Sequence, residues 1–200
     1  MKILLFFTVS FALCIVTASA TYQRDKKSIL ERIKQIQNTP NYHKQPDLVK
    51  ELGTLFYYLA TEEEQYLETS KSYFQKLKIL KPEWIPISDA YLAMLTALQA
   101  KYTLWPLNKL SYANTALSEL DKCVLKSPKN IEILYLRATL CHNLPAVFNR
   151  KNTAIQDCKS ICKYMKQNKS LYSPELIQDI IRFVKNTNYV SPAEMQMLES

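Results

Sequence analysis

The stretch Tyr135 to Cys162, YLRATLCHNLPAVFNRKNTAIQDCKSIC, holds three of the chain's five cysteines and one of its two histidines. Thiolates and imidazoles are the side chains that bind soft metals or attack as nucleophiles, so two chemistries are open. Structural zinc wants four ligands in paired short spacings. Here Cys158 and Cys162 sit one helical turn apart, and Cys141 with His142 would come from a facing helix. Adjacent helical residues diverge by about 100°, so Cys141 and His142 aim poorly at one ion. A Cys–His nucleophile meets the same obstacle and lacks a third residue to orient the imidazole; the other histidine is His43. Glu62, Glu63 and Glu64 read as a solvated helix start rather than an acid–base pair. No catalytic residue, metal-ligand set or cofactor is assigned, and the chain is read as a non-enzyme.

The plainer role for these cysteines is core, where cysteine is among the most buried residue types. Cys141 and Cys158 face each other across one predicted helix pair, so buried free thiols and a Cys141–Cys158 disulfide both stay open. Cys158 and Cys162, on one helix, suit the geometry of a bridge less well. The alternative function is a thiol-dependent redox or metal-handling protein that uses Cys141, Cys158 and Cys162.

The elements that carry these residues are helices. Glycine appears once, as Gly53, against roughly fourteen in an average chain of this length. Phosphate-binding loops, dinucleotide turns and EF-hand loops need glycine for backbone reasons and are excluded, as are left-handed turns by the same argument. An all-β chain, with its many tight turns, is disfavoured too. Apolar residues instead recur every three or four positions. Ile29, Ile33 and Ile36 form one such face, and Leu48, Leu52, Leu55, Phe56 and Leu59 a second. Breaks fall at NTPNYHKQP, at Pro82, at WPLN, at Pro128 and at LPAVFN. Ser88 is the expected N-cap of the helix SDAYLAMLTALQAKY, Ser173 with Pro174 opens SPELIQDIIRFVKN, and Ser191 with Glu194 forms a capping box. About nine helices and no strand follow: the fold class is all-α.

Residues 1–20 have the anatomy of a cleavable export signal: Lys2, then Ile3 to Val16 without a charge, then Ala18-Ser19-Ala20. The expected mature start is Thr21, with an uncleaved anchor or lipid attachment at Cys14 as lesser alternatives. Localisation is accordingly read as exported, periplasmic or cell envelope. The formal charge is +8, and removing Lys2 leaves about +7. That charge is dispersed, without the aromatic–basic interleaving of a nucleic-acid groove, so nucleic acid is not an expected partner. Weak association with an anionic membrane surface is compatible with it.

A repeat emerges when the helices are aligned. Ser70, Phe74, Leu77 and Pro82 have the spacing of Ala116, Leu120, Cys123 and Pro128, and Ala154, Cys158 and Ile161 repeat it without the proline. A small residue lets two helices approach, the residues four and seven further fill the seam, and proline forces the next turn. With Leu52-Gly53 and Phe56, this pattern resembles a degenerate tetratricopeptide repeat with lengthened turns. The stretch YLRATLCHNLPAVFNRKNTAIQDC is similar to that of tetratricopeptide-like proteins exported by bacteria. The resemblance implies helix pairs at about 46–82, 88–128 and 130–167, stacked as a short α-solenoid in one domain, 21–200, that ends in helices 173–187 and 191–199. It further implies binding of another protein or peptide on a concave face lined by the first helix of each pair, with Tyr57, Tyr58, Lys101, Tyr102 and Arg137 as candidate contacts. A structural subunit of an envelope complex is a third reading. Oligomeric state is not fixed by the sequence.

Overall fold

The computed structural model describes residues 25–199; the expected export signal lies outside them. Among the described residues there are nine α-helices and no strand. They are α1 (Lys26–Gln37), α2 (Pro46–Glu62), α3 (Leu67–Leu80), α4 (Ile85–Tyr102), α5 (Pro106–Lys126), α6 (Ile131–Asn143), α7 (Lys151–Asn168), α8 (Pro174–Thr187) and α9 (Pro192–Glu199). None is long and apolar enough to cross a membrane.

Local chemistry sets most boundaries. Asp25 caps α1, and Asn130 caps α6 by accepting from the amides of Glu132 and Ile133. Ser173 accepts from Leu176 N at α8, and Ser191 and Glu194 exchange bonds as a capping box at α9. Two starts differ from the sequence reading. α4 begins at Ile85, with Pro86 in its first turn; the fixed φ of proline suits a helix start, so Ser88 lies inside the helix rather than at its cap. Its hydroxyl is buried without a hydrogen-bond partner. Likewise the break at WPLN falls slightly earlier than read: residues 103–105 separate α4 from α5, and Pro106 opens α5. The expectation that scarce glycine excludes left-handed turns also fails. Asn41, Asn149 and Asn188 take left-handed backbone at φ 57°, 51° and 53°, because a short amide tolerates that region.

Packing is closest between α2 and α3, α4 and α5, and α6 and α7. The small-residue repeat accounts for it: Ser70, Ala116 and Ala154 are fully buried, as are Phe74, Leu120 and Cys158. At the first pair Ser70 Oγ donates to Gly53 O at 2.8 Å. A Cβ on Gly53 would stand 3.0 Å from the Phe74 ring, which stacks on Tyr91 at 4.4 Å. Helices α2, α4, α6 and α8 touch in succession. Glu132 of α6, almost wholly buried, accepts from Lys50 Nζ of α2 and Tyr91 Oη of α4 at 2.6 and 2.7 Å. α8 is strongly amphipathic and buries Leu176, Ile177, Ile180, Phe183 and Val184. A second small core, around Ile29, Ile33, Ile36, Leu52 and Phe56, holds α1 to α2.

Candidate functional site

The cysteine-rich stretch becomes α6, a turn and α7, and its thiols face inward. Cys123, Cys141, Cys158 and Cys162 are all buried, free cysteines. Burial raises each thiol: Cys123 and Cys162 to about 11 and Cys158 to about 12, while Arg150 beside Cys141 offsets part of the rise there. A thiol held in that range is almost wholly protonated at neutral pH and is a poor nucleophile or metal ligand. His142, the histidine beside Cys141, meets Tyr189 Oη through Nδ1 at 2.8 Å, and burial with nearby Lys151 lowers its pKa. Among the described residues no three His, Cys, Asp or Glu side chains converge as metal ligands would.

This environment carries a prediction. At pH 8 a water-soluble aromatic disulfide reagent is expected to leave the native thiols untouched over minutes and to titrate all four described cysteines in denaturant. One fast-reacting native thiol would contradict it. The sign of the pH dependence follows. The unfolded thiols titrate near the ordinary value of 9.0, and the folded Cys123, Cys158 and Cys162 at about 11 or 12. The unfolded state therefore loses protons first, and stability falls as pH climbs above about 9. A urea midpoint lower at pH 10 than at pH 8 is the expected reading.

The five candidate contact residues all engage the chain itself. Tyr57 is buried edge-on to Tyr91 at 5.5 Å. Tyr58 Oη donates to Asp179 Oδ2 of α8 at 3.1 Å. Lys101 Nζ donates to Thr61 O, and Tyr102 Oη to Ala60 O at 2.7 Å, both tying the end of α4 to the end of α2. Arg137 binds both oxygens of Asp157 at 2.9 and 2.7 Å, and reaches Asp121 of α5 at 2.9 Å. Tyr57, Tyr91, Tyr135 and Phe183, from α2, α4, α6 and α8, share one buried core, the last pair edge-on at 5.5 Å.

An open surface exists on the outside instead. A groove of about 610 Å³ runs along α5 beside the turn between α6 and α7. Leu110, Leu117 and Leu125 of α5 and Val147 and Phe148 of the turn supply its apolar wall. Its polar floor is Asp121, which accepts from both Arg150 and Arg137. Asn149 in left-handed backbone ends the turn and lets Arg150 start back toward α5. Leu104, Trp105 and Leu107 stand in solvent at the start of α5. No protein-family model, curated protein or solved structure matches the chain. The groove is thus reached from geometry alone. The sequence reading placed contacts on first helices and missed it, although Leu107, Leu110, Leu117 and Leu125 recur at helical spacing. What it lacked was a sign that this face stays uncovered.

Proposed function

We propose that this chain is an exported helical-repeat scaffold of the cell envelope that holds another protein or peptide, and that it does so on the α5 groove rather than on its inner face. The observation that carries the reading is the outward apolar wall. Leu125 and Val147 of that wall are each about four-fifths exposed, and apolar surface gathered along a concave groove marks an interaction site. The tetratricopeptide-like solenoid reading is supported by the three close helix pairs, by the equal burial of Ser70, Ala116 and Ala154, and by the succession α2, α4, α6, α8. Thiol chemistry as the main function is disfavoured by the burial of all four cysteines.

The test is site-specific photocrosslinking in the native cell. A photoreactive residue at Val147 or Leu125 is expected to give a discrete protein adduct, and one at Ile79, exposed on α3 away from the groove, to give none. Absence of any adduct at both groove positions would remove this reading.

A further inference from the structure

We propose that the occupant of the α5 groove is a second copy of this chain, with the two α5 helices packed antiparallel about a two-fold axis. The inference rests on the reading of that groove as a docking surface and adds what sits in it. α5 is 21 residues long, about 31 Å at 1.5 Å per residue. Leu107 and Leu125 are 18 positions apart, five turns at 3.6 residues each, so both point the same way from the two ends of the helix. In an antiparallel pair centred at the level of Ala116, Leu107 of each copy lies opposite Leu125 of the other, and Asn114 lies opposite Ser118. Leu110 and Val147 also line the groove. Each end of the interface therefore sets Leu125 of one copy against Leu107 of the other, with Leu110 within one turn of it. The middle, Ser111, Asn114, Thr115 and Ser118, carries only small polar side chains on its outward face, which allow the helices to approach and to hydrogen-bond across the axis.

Charge favours a copy over an unrelated cationic face. The chain carries +8, so most pairings of its surface with itself are repulsive. The α5 stripe escapes that. Asp121 is already held by Arg137 and Arg150, and Lys122 pairs with Glu119 at 2.6 Å. In the antiparallel register Lys122 lies level with Leu110 and Lys126 with Pro106, while Lys109 points about 200° round the helix from Leu107, so no lysine meets a lysine across the stripe. The two helix dipoles also run head to tail, the favourable arrangement. The face thus complements itself at both ends and repels itself at neither, which is what an isologous interface requires.

The test is sedimentation equilibrium on the full chain, with two variants and their mixture. Wild type is expected to run at twice its monomer mass at about 100 μM, the range of a small interface. Leu107→Lys and Leu125→Glu, each at an exposed position, are expected to weaken self-association about tenfold or more by facing a charge with leucine. Mixed one to one, they are expected to associate again, since one end then pairs leucine with leucine and the other pairs the introduced lysine with the introduced glutamate. Wild type at monomer mass, or a dimer indifferent to both variants, overturns the proposal. So does a mixture that stays monomeric while each variant is weakened. These outcomes leave the photocrosslinks at Val147 and Leu125 to judge the docking reading separately: an adduct to a different protein keeps the groove and replaces its occupant.

Discussion

Arg137→Ala is expected to cost about 3–5 kcal/mol of stability, because it strands a carboxylate in the core. Asp157 is about 2% exposed, and both of its oxygens are met by the Arg137 guanidinium. Burial already pushes the Asp157 carboxyl above its ordinary value of 3.8, with Arg137 working against that rise. Without the cation, burial acts unopposed. Asp121 suffers less, since it is partly solvated and keeps Arg150. For a chain of this size the loss corresponds to a thermal midpoint lower by roughly 6–20 °C. The deficit should narrow as pH falls toward 4. A carboxyl raised in the folded state takes up its proton there before the unfolded chain does, so stability is regained as pH falls through the folded pKa. Arg137→Met combined with Asp157→Leu, which removes both charges, should recover most of the loss. If Arg137→Ala instead left the midpoint unchanged and abolished photocrosslinking, the arginine would be a partner contact and not a strut.

Phe74→Ala is expected to cost about 3–5 kcal/mol, as for other fully buried aromatic side chains. The ring is wholly buried, lies against Gly53 on one side and stacks on Tyr91 on the other. Its loss loosens the close approach of α2 and α3 and the ring whose hydroxyl donates to Glu132. The informative experiment is the pair with Gly53→Ala. In the native chain the added methyl sits at 3.0 to 3.2 Å from three atoms of the Phe74 ring, and overpacking of that kind costs about 1–3 kcal/mol. That outweighs the gain of up to about 1 kcal/mol that alanine brings to a helix interior. In the Phe74→Ala background the obstacle is gone, so the same Gly53→Ala change should become stabilising. A change of sign, read from urea midpoints in the four corners of the cycle, marks direct coupling. Equal effects in both backgrounds would mean that the glycine answers to something other than the ring.

Much of the helical framework was legible in the sequence because helix ends are written locally. Ser173 with Pro174 and Ser191 with Glu194 act over three or four residues, and the structure forms both caps. The repeat Ser70, Ala116, Ala154 was legible too, since a close approach demands a small side chain wherever it recurs. Ser88 misled because its type suits a cap, while Pro86 just before it suits a first turn even better. Asn149 misled in the opposite direction, doing glycine's work in the turn that aims Arg150 at Asp121. The candidate site was the least legible part. Tyr58 and Arg137 have the chemistry of a binding surface, and periodicity says which way they point. It does not say that α8, more than a hundred residues after α2, arrives to bond Tyr58 through Asp179. The leucines of α5 pose the converse problem: spacing marks an apolar face, and only the assembled fold reveals that no element of the described chain covers Leu107 and Leu125.

The hydrogen bond from Tyr58 to Asp179 spans 121 residues. A row of helix pairs that touch only their neighbours is free to fray from its ends, each unit opening at its own free energy. Here α8 bonds back to α2, so residues far apart in the chain are tied to each other. Opening α8 uncovers the part of α6 it packs on and breaks the bond to Tyr58 of α2. The expected consequence is cooperativity: a tie of this kind couples the opening of α8 to that of α2. Its native contacts are also not complete during synthesis until the residues of α8 have emerged, since the partner of Tyr58 arrives only with that helix.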